Sequence, residues 1–256
     1  MDYYIEVAAL VHKGLIRSTN QDNLWCIDTY LESENEGMPQ VLLGGAYSSA
    51  YPAFAVFDGM GGEQQGEMAA YLAAHHFDSI YRNSSKEDAK NFLLDACREI
   101  NKEICDFQKE HLIRHMGTTA AIILFGQKEV FICNVGDSRV YKYSNKTMVQ
   151  ISQDHVEARI TDRKAPLTQN LGVPETEFLI DPYVAKGDYN IGDRYLLCSD
   201  GLTDMVSEQE IVDIFARSHK TKPTAQILVD EALAKGGVDN ITVIVCEVRK
   251  RKRWLT

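Results

Sequence analysis

The chain has 256 residues, 45% of them hydrophobic and 25% charged, with a formal net charge of −10. That composition is globular and the length allows a sizeable core. The acidic balance argues against general affinity for nucleic acid or anionic membrane, and no run approaches the roughly 18 apolar residues of a membrane span.

The first predicted elements are strands over 4–10 and 23–28, flanking a turn-rich, charged stretch. Asp2 and Glu6 spoil any signal-peptide pattern, so a cytoplasmic protein is expected. A polar loop follows, and then the apolar run Phe54-Ala55-Val56-Phe57 stops at Asp58, with glycines at 59, 61 and 62. Helices are predicted over 66–81 and 88–110. In the second, Phe92, Leu93, Ala96, Ile100, Ile104 and Phe107 form one apolar stripe, and Ser85 with Asp88 offers a capping-box-like start. Strands follow over 118–125, 129–135, 138–143 and 148–152. Gly-Asp and Ser-Asn-Lys turns separate the last three, which read as an antiparallel meander. The stretch 153–187 is less regular. A strand over 193–200 ends in Asp-Gly. Ser207 and Glu210 make a capping box for a helix over 208–217. Pro223 opens a further helix that Gly236-Gly237 closes, and a buried strand over 238–248 comes last. The six cysteines include no C-x-x-C pair, and several sit in strand-like runs, where cysteine acts as a small hydrophobe. No repeat or linker interrupts the series. One domain over 1–256 is expected, of α+β class, with sheets covered by helices and a short basic, solubilising tail over 249–256.

Five aspartates recur at strand ends and turns. Asp58 and Asp200 each end an apolar strand and precede glycine. Asp239 opens the last strand, Asp137 sits in the turn NVGDSR, and Asp22 precedes a strand in RSTNQDN. Any one of them alone reads as an ordinary turn residue. If the sheets align those ends, the carboxylates meet, and leaving them unpaired costs several kcal/mol. These motifs supply Arg17 and Arg139 as cations. Divalent metal relieves the repulsion better, and hard oxygen ligands without His or Cys suit Mg²⁺, Mn²⁺ or Ca²⁺ rather than zinc. Glycine beside a ligand aspartate would let metal, water and a backbone carbonyl approach closely. Competing motifs fail: G-M-G-G-E-Q-Q-G is not G-x-G-x-x-G, and no G-K-[ST], G-x-S-x-G or EF-hand loop occurs. His111 and His115 have a zinc-compatible spacing but no Glu follows His111, and the adjacent His75 and His76 point different ways on a helix.

RSTNQD, VFDGMGG, MGTTAAI, NVGDSRVY, LLCSDGLTD and GGVDNITVIV occur in this order from about Leu10 to Val248. In this the chain resembles the metal-dependent Ser/Thr protein phosphatases of the PPM family, type 2C, bacterial branch. The resemblance implies an αββα sandwich of two antiparallel sheets, with the site in a cleft at one end. It implies that Asp58 bridges two metals and that the Gly59 carbonyl binds the second. Asp200 and Asp239 complete the first metal, and Asp22 serves the second. Asp137, with Asp200, holds a third, weaker metal, and Arg17 binds substrate phosphate. The implied cofactors are two to three Mn²⁺ or Mg²⁺ ions. The implied reaction is hydrolysis of phosphoserine and phosphothreonine in proteins by a metal-activated water, with no covalent intermediate. The implied partners are phosphoproteins, substrates of a eukaryotic-like Ser/Thr kinase.

The chain departs from the family pattern in places. Where many members carry a leaving-group histidine near the glycine run, it has Met60 and Glu63, so no general acid is assigned. Gln21 stands where eukaryotic members have an acid, although bacterial ones often match this chain. The flap, His155 to Leu171, is short, which suggests an open cleft with weak discrimination among phosphopeptides. Two other functions compete: a non-catalytic phosphoprotein-binding member, against which the three acids Asp58, Asp200 and Asp239 argue, and a hydrolase of small phosphoesters.

Overall fold

The computed structural model describes residues 2–60, 65–158 and 165–250. Strands β1 (Tyr3–His12), β2 (Asp22–Cys26), β3 (Leu42–Tyr47) and β4 (Ala53–Met60) precede helices α1 (Gly66–Asn83) and α2 (Ala89–His111). Next come β5 (Gly117–Thr118), β6 (Ala120–Phe125), β7 (Glu129–Val135), β8 (Arg139–Ser144), β9 (Thr147–Gln150), β10 (Tyr183–Asp188) and β11 (Arg194–Cys198). The short α3 (Asp200–Thr203), then α4 (Glu208–Arg217), α5 (Thr221–Ala234) and β12 (Ile241–Lys250), complete the order.

Two antiparallel sheets form. One runs β3-β1-β12-β11-β8-β9, and the other runs β10-β7-β6-β4-β2, with β5 paired to the end of β4. Side chains alternate between faces with period two, and here both faces are covered. On β4, Phe54 and Val56 enter the core between the sheets, whereas Ala53, Ala55 and Phe57 pack beneath α1 and α2. On β12, Ile244, Cys246 and Val248 face the inter-sheet core, while Ile241, Val243 and Val245 meet Ile211, Phe215 and Leu228 of α4 and α5. This is why the central strands read as unbroken apolar runs. The architecture is the expected αββα sandwich. No helix among the described residues is long and apolar enough to cross a membrane. All six cysteines are free and buried, and burial pushes the Cys198 thiol up to about 12.

The expected meander over 129–152 is corrected. Strands β7 and β8 do not pair; they lie in different sheets, and β8 forms a hairpin with β9. Ile132 and Val140 approach the same inter-sheet core from opposite sheets. The period-two pattern of each strand is satisfied either way, so it could not reveal the crossover. At the crossover Gly136 takes φ 96°, and a Cβ there would lie 2.6 Å from Thr119 Cγ2.

Other boundaries shift for local reasons. Asp88 itself caps α2, accepting from the Asn91 N–H at 3.2 Å, while Ser85 Oγ accepts from the Glu87 N–H. Strands β3 and β10 occupy segments read as loop or irregular. The capping box of Ser207 and Glu210 starts α4 as expected. Arg249 and Lys250 belong to β12 rather than to a tail, and Arg249 pairs with Glu6 at 2.8 Å. Residues 251–256, the remainder of the expected tail, lie outside the described residues.

Candidate active site

The ends of both sheets meet where the aspartates lie. Asp58 and Gly59 stand at the end of β4, and Asp22 at the start of β2 is the register partner of Asp58. Asp200 opens α3 directly after β11, Asp239 precedes β12, and Asp137 sits in the crossover between the sheets. A cleft of about 360 Å³ is lined by Arg17, Asp58, Gly59, Asp137, Asp200 and Asp239, with Gln21, Met60, Thr119 and Asn240 among its other walls. Four aspartates and one arginine therefore line the same cleft. Among the described residues no three acidic, histidine or cysteine side chains are drawn around one point; the acids are spread over the walls of an open cleft.

The backbone under Asp58 is fixed from both sides. Its N–H donates to Thr119 Oγ1 at 3.1 Å, and its carbonyl accepts from Thr119 N and Thr118 Oγ1 at 2.8 and 2.9 Å. Thr119 Oγ1 is also hydrogen-bonded to Ser138 Oγ at 2.7 Å, tying β4 to the residue after Asp137. The glycines also have a packing use. A Cβ on Gly59 would lie 2.0 Å from the Gly66 carbonyl oxygen, and one on Gly201 would lie 1.9 Å from the Asn240 carbonyl oxygen. Each glycine lets two backbone segments meet at the cleft.

Arg17 lies on the loop between β1 and β2. Its Nη2 donates to Asp239 Oδ2 at 2.6 Å, with the arginine side chain half exposed. That bond holds the guanidinium above the ordinary arginine range; partial burial opposes it, and attraction from Asp239, Asp58 and Asp22 adds to it. Arg139, the other cation of the motifs, is committed to Asp154 through Nε and Nη2, the shorter bond being 2.7 Å.

Asp22 is buried and does not line the cleft. Its Oδ2 accepts from Ser199 Oγ and from Thr242 Oγ1, each at 2.7 Å. Thr242 lies in β12 and Ser199 directly follows β11 of the same sheet, while Asp22 starts β2 of the other, so this carboxylate ties the two sheets together beside Asp200. Its placement differs from that of an acid at the cleft surface. Glu63 lies outside the described residues, as do 159–164 of the flap. The described ends of the flap are paired, with Glu157 N donating to Pro166 O at 3.0 Å and Thr168 N to His155 O at 2.9 Å.

Asn240, next to Asp239 in the motif GGVDNITVIV, is a residue that the sequence does not single out. In the structure its Oδ1 accepts from Gln21 N at 2.8 Å, and its Nδ2 donates to the carbonyls of Lys13 and Thr19 at 2.7 and 3.0 Å. One buried amide thus pins both ends of the Arg17 loop. Asn240→Ala leaves three backbone groups without these partners, at a cost of about 1–3 kcal/mol each if unsolvated. Thermal unfolding of Asn240→Ala is expected to fall by several degrees, and the KM for phosphorylated substrate to rise. An unchanged melting temperature and KM would contradict the pinning role.

Fold and cleft together define a helix-flanked double sheet with an acidic site at its end, and comparison with known proteins agrees. The family model for protein phosphatase 2C matches residues 44–235. The chain is 30% identical to the serine/threonine phosphatase stp of Listeria innocua over 92% of each protein. It is 29% identical to the serine/threonine protein phosphatase PstP of Mycobacterium tuberculosis, over 95% of this chain and 45% of that protein. The crystal structure of the PstP catalytic domain in complex with two manganese ions superposes with a TM-score of 0.79 at 28% identity, covering 98% of this chain and all of that one. The chain belongs to the protein phosphatase 2C family and is a protein serine/threonine phosphatase of that type.

Proposed function

We propose that the chain, acting as one catalytic unit, hydrolyses phosphoserine and phosphothreonine in proteins at a cation centre in the acidic cleft. The observation that carries this is four carboxylates lining one cleft with a single arginine. The donor set fits Mn²⁺ or Mg²⁺: among the described lining residues there is carboxylate and carbonyl oxygen, and no thiolate or imidazole. Asp58, Asp200, Asp239 and the Gly59 carbonyl would hold two ions, and Asp137 with Asp200 a third. Asp22 would act on the second ion from its buried position. When bound, such ions supply Lewis acidity and an activated water for in-line attack on phosphorus.

The chain's own groups do the rest. One N–H of Arg17 is engaged by Asp239. The remaining donors of its fork are available to the phosphate oxygens, and a guanidinium there offsets charge that grows on them. Asp239 thereby orients the arginine as well as serving the cation site. Water is the natural acceptor. Thr119 is the hydroxyl residue lining the described cleft, and its Oγ1 is already bound to the Asp58 N–H and to Ser138. Phosphoproteins made by a eukaryotic-like Ser/Thr kinase in the cytoplasm are the proposed substrates.

The test assays a phosphothreonine peptide and an aryl phosphate with Mn²⁺, with Mg²⁺ and with EDTA. Metal-dependent turnover of both is expected. Turnover of the aryl phosphate alone would favour a small-phosphoester hydrolase, and turnover undiminished by EDTA would remove the cation centre.

A further inference from the structure

A second cleft, of about 550 Å³, adjoins the acidic one through Met60, which lines both. Its volume falls within the size range of ligand sites. Its charge is opposite to that of its neighbour: Lys109 and Arg114 line it, with Glu177 as the acid on its walls. In a chain with 37 acidic and 27 basic residues, basic groups collected beside the catalytic cleft stand out.

The walls are built. Leu112 follows α2 as its cap, its φ of 56° turning the chain, and His115 takes φ 63° two residues before β5. Non-glycine residues at positive φ are uncommon and need support from their surroundings. The Leu112 N–H is bonded to the α2 carbonyl of Lys109, and Gly117 pairs with Met60 in β5 and β4. Across the cleft, buried Gln108 donates to the Gly172 carbonyl at 2.7 Å, and buried Asn101 accepts from the Gly172 N–H at 2.7 Å. Lys109 is 3.4 Å from Asp106, so its charge is partly met. Arg114 has no hydrogen-bond or ion-pair partner among the described residues.

We infer that this basic cleft binds an anionic side chain of the substrate, a carboxylate or a second phosphate, on the chain segment flanking the phosphorylated residue. The inference rests on the proposed phosphatase reading, since Met60 lines both clefts and sets the basic one beside the acidic one. It supplies a determinant of substrate choice outside the short flap, whose length by itself suggests weak discrimination.

The experiment compares phosphothreonine peptides that differ at one position, scanned over the five residues on either side. Glu, phosphoserine, Gln and Ser are the alternatives there. Each is measured for kcat/KM and, by fluorescence anisotropy, for binding. Screened surface pairs contribute up to about fivefold in affinity apiece, so Glu or phosphoserine at the right position is expected to improve kcat/KM about tenfold over Gln or Ser. A gain for phosphoserine alone assigns the cleft to a second phosphate, and an equal gain for Glu assigns it to anions in general. The gain shrinks as salt rises and disappears in Lys109→Gln/Arg114→Gln, which leaves aryl phosphate turnover unchanged. Equal rates for all peptides at every position, or a preference that survives the double substitution, would overturn the inference. Aryl phosphate turnover tests the phosphatase reading separately. If it is absent, anisotropy still decides whether acidic peptides bind and whether Lys109 and Arg114 are needed.

Discussion

Asp58→Asn and Asp200→Asn are each expected to turn over an aryl phosphate in saturating Mn²⁺ at least ~1,000-fold more slowly than the unsubstituted protein. The size follows from what the carboxylates are asked to do. Cation-based charge stabilisation is worth several kcal/mol, and about 4 kcal/mol corresponds to a factor of ~1,000 in rate. The fold should survive, because the hydrogen bonds of Asp58 that were traced to Thr118 and Thr119 are made by its backbone. Stability gives an independent readout. Asp22 and Asp58 are register partners on neighbouring strands, and like charges opposite each other destabilise a pair by a few tenths to about 1 kcal/mol. In EDTA, therefore, Asp58→Asn should melt slightly above the parent, by about 2–4 °C per kcal/mol. In Mn²⁺ the order should reverse, since cation binding stabilises the folded parent by mass action and the variant loses a ligand. Turnover within tenfold of the parent, together with an intact Mn²⁺-induced rise in melting temperature, would remove Asp58 from the cation site.

How much of this was readable from sequence differs from element to element. The helix over 208–217 was readable to the residue, because Ser207 and Glu210 satisfy each other's backbone and side-chain groups locally. The strand over 129–135 was equally clear. Its partner was not, because pairing is decided by the other strands and by a glycine that turns the chain across the sandwich. Strand β3 was missed because Gly44 and Gly45 weaken its strand signal. The side chain of Ile27 packs over Gly44, its Cδ1 2.3 Å from where a Cβ would lie. The candidate site was more readable than the strand pairing, since carboxylates at strand ends are visible one motif at a time. The polar frame behind them was not. Ser199 and Thr242 sit next to or near the acids in sequence, yet nothing local says that both hydroxyls point at Asp22. Ser199 beside Asp200, and Thr242 three residues after Asp239, were the available signal. Arg17 shows the same limit: its residue type marked it, while its bond to Asp239 spans 222 positions.

The glycines after the two strand-end aspartates separate two physical accounts. If their purpose were room for a cation, alanine there would harm metal binding and spare the metal-free fold. The backbone contacts predict the opposite order. A Cβ on Gly201 would be 1.9 Å from the Asn240 carbonyl oxygen and 3.4 Å from the Asp239 side chain. The nearer atom is main chain of the segment leading into β12, and it also belongs to the residue that pins the Arg17 loop. It cannot yield as a flexible side chain would. Overpacking against rigid neighbours costs about 1–3 kcal/mol and sometimes more, and this contact lies at the severe end. Gly201→Ala is therefore expected to melt at least ~6 °C lower than the parent in EDTA, at about 2–4 °C per kcal/mol for a chain of this size. Gly187→Ala serves as the control, because nothing lies within 4 Å of its Cβ position. It should melt within about 2 °C of the parent, as expected of an exposed change within ±0.5 kcal/mol. Should Gly201→Ala melt with the parent in EDTA and differ from it only when Mn²⁺ is added, the glycine is there for the cation, and the account of two main-chain segments in contact at this corner is wrong.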